Sequence, residues 1–101
     1  MPGGRGILHI KVKSNNVVVT FTDEAGGVVA WSTAGRAGFK SARKASPVAA
    51  RLTGINAAQQ AFDAGVRSVR VKVKGGEDRC ADVLDAVRDA GIEITSVENV
   101  G

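Results

Sequence analysis

The chain has 101 residues, enough for one domain that buries roughly two thirds of its unfolded surface and too few for two. Apolar residues make up 44% of it and charged residues 24%, with a formal net charge of +4, a balance that excludes a disordered chain, and no apolar run approaches the ~18 residues of a membrane span. One cysteine excludes an internal disulfide and a Cys-cluster zinc site, as suits a reducing compartment.

The start, MPGGRG, lacks a secretory apolar core and reads as a flexible Gly/Arg-rich lead over residues 1–5, with a single domain from 6 to 101. GILHIKVK (6–13) alternates: Leu8, Ile10 and Val12 share one face, and His9, Lys11 and Lys13 the other, the period of a half-buried strand. Ser14, Asn15 and Asn16 predict a turn, because Asn tolerates left-handed backbone. A second strand, VVVTFT (17–22), is rich in β-branched residues. Residues 23–27 predict another turn and 28–32 a third strand, which completes an antiparallel meander.

Periodicity stops over TAGRAGFKSARKA (33–45), a loop with two glycines and four basic residues. Ser46 then has the chemistry of an N-cap, with Pro47 at the first helical position. Val48, Leu52, Ile55, Ala58 and Phe62 predict the buried stripe of that helix, and Gly65 its stop. Val69, Val71 and Val73 alternate with Arg70, Lys72 and Lys74 in a fourth strand, one face of which is entirely basic. After Gly75 and Gly76 comes a second helix with the apolar stripe Cys80, Val83, Leu84 and Val87 and a stop at Gly91. Residues 92–97 predict a fifth strand.

The resulting order, β-β-β-α-β-α-β, reaches each late strand through a helical crossover, which favours parallel pairing and a right-handed connection. The fold class expected is α/β, a ribonuclease H-like mixed five-stranded sheet. Its core must be built from small side chains, since 15 Ala and 15 Val leave only 14 other apolar residues. At about 25 cal/mol per Å² of apolar surface buried, such a core predicts a domain that draws stability from a bound partner.

Charge is segregated along the chain: residues 1–44 carry seven basic and two acidic side chains, 45–76 five and one, and 77–101 two and seven. The first three quarters thus hold +9 and the remainder −5, a distribution that attracts polyanions, nucleic acid most commonly, to one part of the domain, or else forms a solvated basic face. A nuclease on this fold needs several carboxylates converging on metal ions. The first strand has none, Asp23 and Glu24 fall in a turn, and Asp82, Asp85 and Asp89 lie opposite the apolar stripe of the last helix, on a solvated face. His9 has no second base or ligand at useful spacing, Cys80 falls on an apolar stripe, and no serine or threonine has a paired base. The sequence therefore predicts no catalytic residue, metal, cofactor or small-molecule substrate. In the 33–45 loop, by contrast, Gly35 and Gly38 admit a phosphate chain close to the backbone, and Arg36, Lys40, Arg43 and Lys44 supply countercharge. Phe39 offers either a stacking ring or an anchor into the core, and the helix opening at Ser46 adds an anion-binding N-terminus. Lys74 with Gly75 and Gly76 is a weaker phosphate-loop signal.

WSTAGRAGFKSARKASPVAA (31–50) closely resembles the signature of the eleventh small-subunit ribosomal protein family. GILHIKVKSNNVVVTFTD (6–23), VRSVRVKVKGG (66–76) and AGIEITSV (90–97) are similar to other parts of that family, in order. The resemblance implies a non-enzymatic component of the small-subunit platform that binds ribosomal RNA beside neighbouring ribosomal proteins. It carries RNA contact onto Asn15, Asn16, Gly35, Arg36, Gly38, Lys40, Arg43, Lys44 and Ser46, and further onto Lys72, Lys74 and Gly75. Two departures stand out. GGEDRC (75–80) replaces a Gly/Pro-rich, basic stretch, and the family's basic, proline-rich tail is missing after Gly101, so the tail's role toward RNA is expected to be absent, supplied by another chain or encoded elsewhere. They favour an organellar ribosome, the mitochondrial one before a bacterial cytoplasmic one. A ribonuclease H-like nuclease and a protein-binding adaptor of the same fold are the alternatives.

Overall fold

The computed structural model of the chain describes residues 2–13, 16–35, 46–75 and 77–101. The strands are β1 (Arg5–Lys13), β2 (Asn16–Thr22), β3 (Val28–Thr33), β4 (Ser68–Lys74) and β5 (Glu93–Asn99), and the helices are α1 (Pro47–Asp63) and α2 (Glu77–Asp89). One sheet takes the order β3-β2-β1-β4-β5, with β3 and β5 at its edges. β1, β2 and β3 pair antiparallel, and β4 pairs parallel with both β1 and β5. The element order and the mixed five-stranded sheet are those the sequence predicts. Boundaries shift slightly: Asn16 and Thr33 belong to strands, and β5 runs from Glu93 on to Asn99.

The alternation of the sequence becomes two sheet faces. Leu8, Ile10, Val12, Val17, Val19, Phe21, Val69, Val71 and Val73 are buried in one core with Ala57, Ala58, Ala61, Val83 and Val87 of the two helices. α1 and α2 therefore cover one face of the sheet, and among the described residues no α-helix covers the other. Phe21 and Leu8 are its largest fully buried side chains, consistent with the small-residue core predicted.

The buried stripe of α1 differs from the one predicted. Val48 is 62% and Leu52 43% exposed, whereas Ala49, Ala50, Thr53, Gly54, Ala57, Ala58 and Ala61 are buried. The reason is proximity. A Cβ at Gly54 would lie 3.1 Å from Cβ of Ala86 and 3.2 Å from Cα of Val83, so α1 and α2 pack with their backbones close together and only small residues fit between them. Thr53 is accommodated because its hydroxyl donates to the Ala49 carbonyl at 2.6 Å, leaving no buried polar group unmatched. The stripe of α2 is as predicted: Cys80, Val83, Leu84 and Val87 are all buried.

α1 ends where β1 begins. The backbone N–H of Arg67 donates to the Gly4 carbonyl at 2.7 Å. The Arg67 guanidinium lies 3.7 Å above the Phe62 ring and donates to the Phe62 carbonyl at 2.7 Å, placing a cation at the negative end of the helix. β4 then starts beside β1, Ser68 opposite Arg5. Hence α1 runs back along the sheet, and its N-terminus lies at the other end, where β1 and β4 finish.

Candidate nucleic-acid interface

At that end five of the sequence-predicted site residues, Asn16, Gly35, Ser46, Lys74 and Gly75, come together. β1 finishes at Lys13, which pairs with Asn16 at the start of β2, and Lys11 pairs with Lys74 at the end of β4. β3 finishes there too: the N–H of Ala34 donates to the Val17 carbonyl at 3.1 Å, which delivers Gly35 to the same rim. Both helices start on this side, α1 from Ser46 and α2 two residues after Gly75. The C-terminal ends of parallel strands and the N-termini of the helices that follow them share one edge, the arrangement that collects backbone N–H groups and partial positive charge.

Local chemistry fixes each piece. Ser46 is extended (φ −72°, ψ 159°), its Oγ accepts from the N–H of Ala49 at 3.2 Å, and Pro47 occupies the first turn, as the sequence predicts. Asn16 turns its own Oδ1 onto the N–H of Val17 at 2.9 Å. Gly75 has φ +103°, and a Cβ there would overlap the Val12 carbonyl oxygen, so only glycine lets the chain leave β4 against β1 at this point. Asn15, Arg36, Gly38, Lys40, Arg43 and Lys44, with Phe39, lie outside the described residues. Lys72 is set apart from the rim, one pleat back on the helix-free face opposite His9.

That face carries charged residues that the sequence alone does not single out as a site. Lys11 and Lys13 of β1 and Arg70 of β4 project there beside Lys72 and Lys74, with the 44%-exposed Trp31 of β3 on the same side. The alternation of Lys and apolar residues in each strand is the available signal. What it lacks is the parallel register that places β4 against β1. His9 sits among these groups, its Nε2 3.2 Å from Thr22 Oγ1. Burial first, and then the Lys72 ammonium, push its imidazole below the ordinary range, so it is neutral at pH 7.

Three of the acids are engaged away from this face. Asp23 Oδ1 accepts from the Gly27 N–H at 2.8 Å inside the β2–β3 turn. Asp85 pairs with Arg88 at 3.4 Å. Asp89 meets Arg51 of α1 at 2.7 Å, so this part of the predicted solvated row also ties the helices together, though an exposed pair of this kind is worth at most about 1 kcal/mol. Among the described residues no group of three His, Cys, Asp or Glu side chains could hold a metal ion.

Comparison with known proteins matches residues 6–101 to the family described as ribosomal protein S11. A curated relative, "Small ribosomal subunit protein uS11c" of Chlorella vulgaris, is 44% identical over 95 residues, which cover 94% of this chain and 73% of the relative.

Proposed function

The chain belongs to the ribosomal protein S11 family, and from that premise we propose that it holds ribosomal RNA against the rim of its sheet where β1 and β4 end. It is a structural, non-enzymatic component of the small ribosomal subunit. The observation that carries the RNA reading is convergence: Asn16, Gly35, Ser46, Lys74 and Gly75, far apart in the sequence, meet at one end of the fold. Gly35 and Ser46, which flank Arg36, Gly38, Lys40, Arg43 and Lys44 in the sequence, both lie at this rim. Phosphates bind there by countercharge and backbone N–H groups, with base identity secondary. Neighbouring small-subunit proteins are the further partners, and the acidic outer face of α2 lies on the side away from the free sheet face.

Binding of the purified chain to protein-free small-subunit ribosomal RNA, measured across salt concentrations, tests the reading. Arg43→Ala with Lys44→Ala should lower the log–log salt slope by roughly 1 to 2, at about 0.7 to 0.9 for each phosphate no longer neutralised. A slope identical to the unmodified chain's would refute it. The mitochondrial compartment rests on one departure from the family pattern alone, GGEDRC at 75–80 in place of a Gly/Pro-rich, basic stretch. Cosedimentation of tagged protein with small subunits from fractionated mitochondria is the expected result, and cosedimentation confined to the cytosolic fraction overturns it.

A further inference from the structure

We propose that the helix-free face of the sheet is a second RNA surface, on which an unpaired strand lies with its phosphates on Lys11, Arg70 and Lys72 and a base against Trp31. This deepens the reading above and rests on it. Register places the groups. Across the sheet, Trp31 is opposite Thr20, Thr20 opposite His9, and His9 opposite Lys72. One pleat toward the rim, Lys11 is opposite Lys74, and one pleat the other way Ile7 is opposite Arg70. With strands about 4.8 Å apart and alternate residues about 6.6 Å apart along a strand, Trp31 stands about 14 Å from the Lys72 position, with the cations grouped at the far side.

Charge complementarity selects the occupant. β1, β2 and β4 put no carboxylate on this face among the described residues; the acids near it are Glu93, opposite Ser68, and Glu98, opposite Lys72, both on the edge strand β5, and Glu24, which pairs with Arg5 at 3.4 Å. A sheet face offering cations to a backbone and an aromatic ring to a base suits an unpaired strand, because a duplex hides its base faces. The surface is continuous with the rim through Lys13 and Lys74, so one RNA can engage both. Thr20, Thr22, Lys11 and Lys72 surround His9, which makes its imidazole a reporter: phosphates arriving on the two lysines favour its protonated form.

Trp31 is the sole tryptophan, so its fluorescence reads this face alone. Protein-free small-subunit ribosomal RNA and a short oligouridylate should both quench it. Lys11→Ala with Lys72→Ala should lower the salt slope by about 1.4, at about 0.7 for each single-strand phosphate released. Trp31→Ala should weaken oligouridylate binding about 5- to 150-fold, the range set by stacking on one base, and Trp31→Phe should retain most of it. Circular dichroism of each variant checks that the fold is kept. If Arg43→Ala with Lys44→Ala lowers the slope but the sheet-face changes alter neither slope nor quenching, this inference fails and the rim reading survives. If the unmodified chain shows no salt-dependent binding, both fail. Crosslinks from Lys72 in assembled subunits that reach a protein instead of RNA also overturn it.

Discussion

Replacing Gly75 by alanine tests the close approach of β4 to β1 at the rim, and Gly26 supplies the comparison. Both have positive φ, +103° and +94°, but a Cβ at Gly26 meets nothing within 4 Å, whereas at Gly75 it overlaps the Val12 carbonyl oxygen. Gly26→Ala therefore isolates backbone strain, about 1–2 kcal/mol for an L-residue held in the left-handed region. Gly75→Ala carries the same strain and must also pry β1 from β4 beside the Lys11–Lys74 pair, breaking one or two ladder hydrogen bonds at about 0.5–1.5 kcal/mol each. The sum is about 1.5–5 kcal/mol. For a domain of this size that corresponds to a fall in Tm of roughly 6–40 °C, against about 5–15 °C for Gly26→Ala. Urea denaturation followed by Trp31 fluorescence and circular dichroism measures both, with unchanged m-values expected. Equal destabilisation of the two variants would show that the Gly75–Val12 approach costs nothing and would refute the tight β1–β4 rim.

The packing of α1 predicts an inversion of what its apolar pattern suggests: Leu52→Ala should cost less than about 1 kcal/mol and Gly54→Val about 1–3, while Phe21→Ala costs about 3–5, all by denaturant titration. A Leu52→Ala effect as large as that of Phe21→Ala would refute the assignment of the buried face. Ser46→Ala should cost about 1 kcal/mol by removing the cap, and Ser46→Asp should restore it; equal stability of all three would show that the cap contributes nothing. His9 should titrate below its ordinary value in an NMR pH series, and Lys72→Ala should move it upward. Because the unfolded chain then binds the proton more readily than the folded one, stability should fall as pH drops from about 6.5 down through the folded-state pKa; a rise over that window would contradict the burial of the ring.

Strand content, topology and the Ser46–Pro47 helix start are legible in the sequence because each has a local signature: alternation, turn residues, a capping pair. The stripe of α2 is legible for the same reason. That of α1 is not, since periodicity weighs a residue by its apolarity, and Val48 and Leu52 outweigh the alanines that the helix–helix packing requires. Which residues share a rim depends on the register between distant strands. Lys13 and Asn16 are near in sequence, and their proximity is visible there; the meeting of Lys11 with Lys74 requires β4 to lie beside β1 in one particular register, which no local pattern states. For this reason Lys11, Arg70 and Trp31 do not stand out as a site in the sequence, although alternation puts Lys11 and Arg70 on the correct strand faces.

The position of β5 at the sheet's edge has a consequence for how much of the protein a cell can hold unassembled. Its outer side offers backbone donors and acceptors to any extended chain, and Val97 within it and Val100 just after it are exposed. Glu93 and Glu98 lie on the same strand, so two such edges approaching each other bring carboxylate against carboxylate, and self-addition is opposed by charge. Addition of one β5 edge to another is thereby disfavoured while the chain is unassembled, and neutralising both glutamates should convert surplus protein into aggregate before it alters anything about the assembled state.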